Sequence, residues 1–468
     1  MRNAKSRFAL FFGNRGFFPA SLLTEARREL TDVLGRLGHE TLALDPQATR
    51  HGAVETPREG ERYANFLRRH QGEYDGVILC LPNFGDETGA ATALREAGVP
   101  ILVQAYPDSL DRMAPELRRD AFCGKFSIMD VFCQYGIRFT ALKPHTVDPS
   151  GPRFAANVDS FDRICRVVQG LRNLTVGAIG ARTTAFKTVR IDELALQRHG
   201  ITVETFDLSD IFARMRSLAA SDPRLEDKAE RLRRFTSWDG VPPEALQSLA
   251  RLAVVLDALI EEQMLDAVAV RCWMEMQQEL GISPCVLLGE MNDRGVPGAC
   301  EVDVGSAVAM SALTLASGGA PACLDWNNNY GEEQDKCILF HCGPVPQGLM
   351  VGPGRVTDHA ILSTALGPGR SYGYNVGRIR PMPFTYGSLL TESGALRAYV
   401  GQGRFTADPI PKDFFGCAGV AHIDGLQDVL LTIGRQGFRH HVSLTPGQVR
   451  EPLVEAIGKY LGYQVLSL

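Results

Sequence analysis

The sequence predicts an α/β protein with two doubly wound parallel-sheet domains followed by a β-rich C-terminal domain. Two series of short apolar runs alternate with amphipathic helical stretches, a pattern typical of parallel sheets covered by helices. After about Asp335 the apolar runs become short and are punctuated by Gly and Pro, which favours strands joined by tight turns. We therefore expect three domains, at residues 1–172, 173–315 and 316–468.

The first series consists of four apolar runs with amphipathic helical stretches between them. It predicts strands at residues 7–12, 39–44, 75–82 and 100–105, with helices near 20–37, 58–70 and 87–97. In doubly wound sheets the loops at the carboxyl ends of the strands bind ligands. The loops 13–16 and 83–87 are therefore candidate substrate loops.

The second series begins with the apolar run of residues 174–180. It predicts a helix near 189–199, a strand at 201–206, helices at 224–236 and 243–264, and a strand at 267–273. The helix at 243–264 carries Leu246, Leu249, Leu252, Val255 and Leu259 at helical spacing, so we expect one buried face. A last helix is predicted after Thr445-Pro446-Gly447.

Composition excludes several classes of protein. Lys and Arg number 49 against 54 Asp and Glu, and no long basic run is present, so nucleic acid is not an expected partner. The longest uncharged stretch, 306–324, is broken by Ser, Thr, Gly and Pro, which argues against a membrane span. The apolar run at 8–12 is too short for the core of a signal peptide. We expect a soluble, cytoplasmic protein.

The eleven cysteines are scattered along the chain without a CxxC pair. An odd number without paired spacing indicates neither a disulfide framework nor a zinc site made of thiolates. Reduced thiols in a cytoplasm fit this pattern best.

Two carboxylates, Glu301 and Asp303, lie at a Gly-bounded turn that leads into an uncharged helix. Acids at such a place often do no more than cap the first helical turn. Asp325 follows an apolar run 24 residues after Glu301, and an Asp there is often only a turn former. The sequence pattern leaves a structural role and a metal-binding role open for both positions.

Three histidines stand at the ends of apolar or polar runs: His341, His440 and His441. A single His at such a place is more often a hydrogen-bonded structural residue. Carboxylate oxygens together with imidazole, however, suit a hard or borderline divalent ion such as manganese or magnesium. No pairwise spacing among these residues is diagnostic alone.

Four segments together resemble the L-fucose isomerase family. They are Pro284-Cys285-Val286-Leu287-Leu288-Gly289-Glu290, the run 298–305, Leu324-Asp325-Trp326, and His440-His441-Val442 before Pro446-Gly447. The similarity runs from about residue 174 to the end, and the first domain resembles the family's flavodoxin-like domain only through its α/β pattern. The resemblance implies that Glu301, Asp325 and His441 match that family's manganese ligands.

The resemblance also implies an activity. It is that of a ketol-isomerase, an intramolecular oxidoreductase that interconverts an aldose and a ketose through an ene-diol(ate) of the open-chain sugar. Glu301 and Asp325 would bind the metal and exchange protons, while His441 anchors the ion, which is Mn²⁺ or alternatively Mg²⁺ or Co²⁺. Because Glu301 falls in the second expected domain and Asp325 and His441 fall in the third, we expect the active site in a cleft between these two domains. The resemblance further implies a homo-oligomer, a trimer or hexamer, in which a neighbour's first domain completes the pocket.

Other residues are weaker candidates. His341 and His440 are candidates for a fourth ligand or for a partner of a ligand. Side chains that could contact the substrate are Asn14, Arg15, Arg182, Lys187, Arg271 and Trp326. Arg and Lys are ordinarily surface residues. Positive groups near the site would nevertheless admit an acidic sugar.

Two alternatives to simple isomerisation stay open. The same metal-stabilised enediolate serves a lyase, a decarboxylase or a carboxyl-transferring isomerase that acts on an oxo-sugar acid. A non-catalytic sugar-binding regulatory protein is the alternative from another class. The presence of both acids and the histidine argues against the regulatory protein.

Overall fold

The computed structural model describes residues 4–19 and 21–468. The start of the expected first domain and residue 20, where the first helix was expected to begin, lie outside the described residues. The chain forms two compact units. One contains the described residues up to Gln169 together with Glu455–Leu461, and the other contains Gly170–Val454 and Gly462–Leu468. We describe each unit by itself.

The N-terminal unit is built on a four-stranded parallel sheet in the order β2-β1-β3-β4. Its strands are β1 (Phe8–Phe12), β2 (Thr41–Ala43), β3 (Gly76–Leu81) and β4 (Ile101–Ala105). The helices are α1 (Ser21–Arg36), α2 (Pro57–Arg69), α3 (Glu87–Leu94), α4 (Ala121–Gln134) and α5 (Pro152–Arg172). β1 and β3 are apolar and buried at every position, as expected for strands covered on both faces.

A second parallel sheet has the order β6-β5-β7-β8. Its strands are β5 (Thr175–Ile179), β6 (Thr202–Phe206), β7 (Ala267–Val270) and β8 (Gly298–Cys300). Its helices are α6 (Glu193–Arg198), α7 (Leu208–Ser217), α8 (Pro223–Phe235), α9 (Pro243–Glu262), α10 (Glu275–Leu280), α11 (Cys285–Asp293) and α12 (Val304–Ser317). α9 buries the leucine face that the sequence predicts, α7 was not predicted, and β7 ends at Val270 rather than at residue 273.

The C-terminal part of the same unit is β-rich. Its strands are β9 (Ala322–Tyr330), β10 (Glu333–His341), β11 (Arg355–Thr357), β12 (Tyr374–Arg378), β13 (Met382–Glu392), β14 (Ala395–Phe405), β15 (Cys417–His422), β16 (His441–Pro446) and β17 (Gln464–Ser467). Three short helices accompany them: α13 (Leu362–Leu366), α14 (Leu426–Arg435) and α15 (Arg450–Val454). A π-helical turn at Glu455–Tyr460 follows α15.

Six of these strands close into a barrel in the order β15-β10-β9-β16-β13-β14, because β14 also pairs with β15. The hairpin between β13 and β14 turns through Ser393 and Gly394, both with positive φ, as a two-residue turn of the primed type requires. The predicted fold class, two parallel α/β sheets and a β-rich C-terminal region, is therefore confirmed.

The expected division into three domains stays a prediction. α5 ends at Arg172, the position of the first expected boundary, whereas α12 continues through the second expected boundary at residue 315. The second sheet and the barrel lie together in one compact unit. Among residues 4–19 and 21–468, no helix is both long enough and apolar enough to cross a membrane.

Candidate active site

Three strands bring Glu301, Asp325 and His441 to one place. Glu301 directly follows β8, at the carboxyl edge of the second parallel sheet, where such sheets bind ligands. Asp325 lies in β9 and His441 opens β16. β9 and β16 are antiparallel, and their register sets His441 directly opposite Asp325. Residues opposed in this way have neighbouring side chains.

The reactive atoms of these side chains converge. His441 Nε2 lies 2.9 Å from Glu301 Oε2 and 3.5 Å from Asp325 Oδ1. All three atoms are buried, and none has a hydrogen-bond partner among the described residues. His441 Nδ1 lies 2.7 Å from Asp303 Oδ2, so a neutral ring donates there and leaves the lone pair on Nε2. Three buried acceptor atoms therefore face one another.

This arrangement fits a divalent ion. Acceptor atoms repel at close range unless a proton or a cation lies between them, and buried polar atoms are rarely left without a partner. An ion with ligand bonds of about 2.1 Å at right angles separates neighbouring ligands by about 3 Å, close to the observed spacing. Two carboxylate oxygens and one imidazole nitrogen are ligands that manganese, magnesium or cobalt accept.

Asp303 fixes the orientation of the His441 ring. Its carboxylate is fully buried and accepts hydrogen bonds from the backbone N–H of Ser306 at 3.0 Å and from the Ser306 hydroxyl at 2.6 Å. The Arg439 guanidinium also donates to it. Asp303 is the N-cap of α12, so the helix-capping role that the sequence left open belongs to Asp303 and not to Glu301.

A glycine makes room for the ion pair between Arg439 and Asp303. A Cβ at Gly305, in the first turn of α12, would collide with the Arg439 guanidinium and with the Leu389 carbonyl. The absence of a side chain at this position therefore lets Arg439 reach the Asp303 carboxylate.

The charges of the site shift the pKa values of its members. Burial raises the pKa of the Glu301 carboxyl, but the nearby His441 ring outweighs burial and lowers this pKa to about 2. Burial also raises the pKa of the Asp303 carboxyl, but Arg439 and His441 outweigh burial and bring this pKa below the usual range. Burial would lower the pKa of His441, but Cys323, Asp303 and Glu301 raise it well above its ordinary value. The two neighbouring carboxylates, Asp303 and Glu301, thus favour a positive charge at His441.

The backbone at Glu301 is strained. Glu301 has φ +64° and Val302 has φ +55°, in the left-handed region that β-branched residues rarely adopt. Such conformations concentrate at functional sites, where the surrounding structure holds them. The Trp273 indole N–H donates to Glu301 Oε1 at 3.1 Å, which leaves Oε2 directed at His441.

His341 and His440 lie beside His441 and Asp325. His341, the last residue of β10, is buried, and its ring centre is 5.7 Å from that of His441. Its Nδ1 accepts the backbone N–H of Cys342 at 2.8 Å, so a neutral ring carries its proton on Nε2, which is buried without a partner. His440 Nε2 lies 3.6 Å from Asp325 Oδ1, and burial together with His441 lowers the pKa of His440.

A cavity of about 280 Å³ opens beside these groups. Its polar lining includes Glu301, Asp325 and His341, and its apolar wall includes Phe340, Tyr374, Phe415, Ile361 and Leu362. A larger cavity of about 620 Å³ lies elsewhere on the barrel, lined by Tyr386, Arg404 and His422 among others. We place the candidate site in the smaller cavity because the unpartnered carboxylates and imidazoles converge there.

The second unit contains four residues that we expected to contact the substrate, and the structure places them in different surroundings. The Arg182 guanidinium donates to the backbone carbonyls of residues 183, 184 and 186, and Arg271 pairs with Glu275. Lys187 is exposed and follows Phe186, whose ring lies 5.6 Å from that of His440. Trp326 donates to the Tyr399 hydroxyl and packs in the barrel core, so the structure does not bring it to the cavity.

Asn14 and Arg15 belong to the N-terminal unit. Asn14 is buried and its side chain contacts those of Asn83 and Glu55. The Arg15 guanidinium pairs with Glu87 and donates to the Gly85 carbonyl at 2.8 Å. The two loops that the sequence selected at the carboxyl edge of this sheet therefore meet in one polar network. Their contact with a substrate stays a prediction.

Sequence reasoning did not give a role to Trp273. It follows β7 at the same sheet edge as Glu301, and the rule that ligands bind at the carboxyl ends of parallel strands could have identified it.

Two domain models of one family match the chain. A model described as "Fucose/sulfoquinovose isomerase, N-terminal domain" matches residues 9–172, and one described as "L-fucose isomerase, C-terminal domain" matches residues 339–468. Together they match more than half of the chain. The chain belongs to the L-fucose isomerase family. The predicted membership is confirmed, and with it the enzyme class, which for this family is that of the ketol-isomerases.

Relatives with assigned names agree with the family. A sulfoquinovose isomerase from Priestia aryabhattai is 24% identical over 309 residues, 64% of this chain and 66% of that protein. Another, from Alkalicoccus urumqiensis, is 23% identical over 412 residues, 86% of this chain and 88% of its own length. The match to one solved structure, that of D-2-hydroxyisocaproate dehydrogenase, covers 66% of this chain and 97% of that chain at 13% sequence identity. Its TM-score of 0.16 is too low to support a shared fold.

Proposed function

We propose that this member of the L-fucose isomerase family is a divalent-metal-dependent aldose–ketose isomerase. It moves a proton between adjacent carbons of an open-chain sugar or sugar derivative through an ene-diol(ate). The observation that supports this best is the meeting of Glu301 Oε2, Asp325 Oδ1 and His441 Nε2, three buried acceptor atoms without hydrogen-bond partners among the described residues. A cation is the partner that all three can share.

We infer that the ion is manganese, with magnesium or cobalt as alternatives. When bound, such an ion supplies a Lewis acid that polarises the substrate carbonyl and stabilises the charge of the ene-diolate. His441 holds it through the Nε2 lone pair, because the Nδ1 proton is committed to Asp303. Glu301 and Asp325 hold it through the carboxylate oxygens that face His441.

Glu301 and Asp325 also carry the protons. Both line the cavity in which the sugar would lie, Glu301 from the sheet and Asp325 from the barrel. The pKa of about 2 keeps Glu301 ionised, so Glu301 begins the reaction as a proton acceptor at the reacting edge of the sugar. Asp325 exchanges a proton with the same edge from the facing strand.

His341 acts as a hydrogen-bond donor in this proposal and not as a fourth ligand. Its Nδ1 is occupied by the Cys342 backbone N–H, so the proton on Nε2 points toward the site without a partner. A substrate oxygen in the cavity would satisfy this donor. The apolar wall around Phe340 and Phe415 excludes water from the reacting edge.

We propose a sugar with an anionic substituent as the first substrate to test. The curated relatives are named sulfoquinovose isomerase, and that name supports a sulfonated sugar. The lining of the small cavity contains no Arg or Lys among the described residues, so an anion would contact groups beyond this lining. Lys187 and a neighbouring subunit are candidates for that contact.

We propose a homo-oligomer, a trimer or hexamer, in the cytoplasm. Family resemblance supports the oligomer, because in that family a neighbour's first domain completes the pocket. All eleven cysteines are free thiols, and a reducing compartment keeps thiols in this state.

The proposed function predicts that activity depends on a removable metal. Protein treated with a chelator should lose isomerisation of sulfoquinovose or L-fucose, and added Mn²⁺ should restore it. Because the proton passes through Glu301 or Asp325, reaction in heavy water should place deuterium on the reacting carbon of the product. Nuclear magnetic resonance of the sugars measures both quantities.

Other outcomes of that experiment would point elsewhere. Release of carbon dioxide from an oxo-sugar acid would favour a decarboxylase. Sugar binding without turnover in the Mn²⁺-loaded protein would favour a regulatory role. Either result would contradict the isomerase proposal.

A second prediction concerns pH. The raised pKa of His441 means that, without metal, a proton occupies Nε2 at neutral pH, and Mn²⁺ must displace it. Glu301, with a pKa of about 2, brings no competing proton above about pH 4. The Mn²⁺ affinity should therefore rise about tenfold per pH unit and level off once the pH exceeds the His441 pKa.

Isothermal titration with Mn²⁺ at several pH values measures this slope. His422→Ala is the matched control, because His422 also pairs with an acid, Asp424, and should leave the slope unchanged. An affinity that stays constant between pH 5 and pH 8 would contradict the assignment of His441 as a ligand.

A further inference from the structure

Four cysteines from separate elements meet beside the candidate active site. Cys272 follows β7, Cys285 begins α11, Cys300 ends β8 and Cys342 follows β10. Three of them are buried, and Cys342 is partly buried. Their positions in the sequence have no paired spacing, so the sequence alone did not indicate a thiol site.

Three of these thiols converge. The Cys285 and Cys342 sulfurs lie 3.2 Å apart, and the sulfurs of Cys285, Cys300 and Cys342 all lie within 4.8 Å of one another. Sulfurs bound to one zinc ion at about 2.3 Å in tetrahedral geometry are about 3.8 Å apart. The Cys285–Cys342 separation of 3.2 Å is shorter than that value, and the limit of 4.8 Å on the other two separations includes it.

This cluster differs from the other cysteines of the protein. No other group of three cysteines with converging sulfurs occurs in the described part of the chain. Cys272, Cys285 and Cys342 also line the cavity of about 280 Å³, so an ion has a path to the sulfurs. An isolated buried cysteine packs as a small apolar residue, whereas a converging, accessible set of thiols offers ligands.

We propose that Cys285, Cys300 and Cys342 form a second metal site, separate from that of Glu301, Asp325 and His441, for a thiophilic ion of the zinc(II) or copper(I) class. Cys272 stands outside this group of three sulfurs and lines the same cavity. Thiolates select such ions, whereas carboxylates and imidazole at the first site suit manganese or magnesium. Binding replaces the thiol protons with the ion and releases them to solvent, with no change in oxidation state.

The position of this site connects it to the first one through the chain. Cys300 directly precedes Glu301, and Cys342 directly follows His341. An ion held by both sulfurs therefore fixes the backbone next to a candidate ligand and next to a candidate substrate contact. The site would therefore act on the geometry of the reaction through the backbone.

Cadmium binding to the Mn²⁺-loaded protein tests the proposal, since Cd²⁺ replaces zinc at thiolate sites and gives an ultraviolet sulfur-to-metal charge-transfer band. A Cys123→Ser/Cys133→Ser background removes the two exposed thiols. In fully reduced protein we expect a saturable band at one Cd²⁺ per chain that Zn²⁺ displaces and Mn²⁺ does not. Glu301→Gln in the same background should retain the band, because it changes no sulfur.

Separate Cys285→Ser and Cys342→Ser variants should lose the band at Cd²⁺ concentrations that saturate the parent. Circular dichroism checks that each variant is folded, and whichever of the two folds suffices for the comparison. No band in the reduced parent would overturn the proposal. A band of unchanged strength in a folded Cys285→Ser or Cys342→Ser variant would also overturn it. Because the readout is the sulfur-to-metal band, loss of isomerase activity does not affect the result.

Discussion

Glu301→Gln is expected to lower turnover by at least about a thousandfold, and excess Mn²⁺ is expected not to restore it. Glutamine keeps the size of the side chain and one oxygen ligand but cannot accept the proton. Asp325→Asn should behave in the same way, because Asp325 stands opposite His441 and faces the same cavity. Steady-state rates across a Mn²⁺ titration, together with Mn²⁺ affinities from calorimetry, measure the two effects separately.

His441→Ala is the matched comparison for this prediction. It removes a ligand but no proton carrier, so Mn²⁺ affinity should weaken and added Mn²⁺ should restore part of the turnover. Full recovery of Glu301→Gln at high Mn²⁺ would show that Glu301 only binds the ion. A His441→Ala variant with unchanged Mn²⁺ affinity would show that the imidazole is not a ligand.

Asp303→Asn is expected to lower the free energy of unfolding by about 3–5 kcal/mol, because it leaves the buried Arg439 guanidinium without its counter-charge. An amide also cannot accept from Arg439, His441 and Ser306 together as the carboxylate does. The His441 ring then loses its orientation, and Mn²⁺ affinity should fall about 10- to 100-fold. Urea denaturation of metal-free protein and Mn²⁺ calorimetry measure the two effects.

The double variant Asp303→Asn/Arg439→Met is the control for the electrostatic part of this loss of stability. Removing both charges should recover a large part of the lost stability, but not the Mn²⁺ affinity, because the partner of His441 Nδ1 is still changed. The pKa of Asp303 is depressed in the folded protein, so its stabilising contribution is present above the usual Asp pKa. That contribution is lost as the pH falls toward the depressed pKa. Equal stability of Asp303→Asn and the parent at neutral pH would contradict this account.

The alternation of apolar and amphipathic segments was enough to place most elements of the two parallel sheets. β1, β3 and β4 lie within one residue of their predicted limits, because strands buried on both faces are largely apolar and Gln104 in β4 is their one polar residue. The leucine spacing of α9 likewise identified its buried face. α7 was missed because it follows β6 after a single residue, Asp207, which caps it.

Family resemblance selected Glu301, Asp325 and His441, but chain spacing could not show that they converge. His441 reaches Asp325 through the register of β9 and β16, strands that are more than a hundred residues apart in sequence. A strand also alternates its side chains between two faces, which sends Trp326 into the barrel core while Asp325 faces the site. That consequence of period-two alternation could have been read from the sequence.

The sequence by itself determined the fold class, the family and the residue types that bind a metal, since each of these follows from local patterns. Only the tertiary structure decided which atoms are left without partners and which side chain orients His441. It also brought together three cysteines, Cys285, Cys300 and Cys342, that lack any paired spacing. The physical reason is that convergence depends on strand register and barrel closure, which are set by long-range pairing such as β14 with β15.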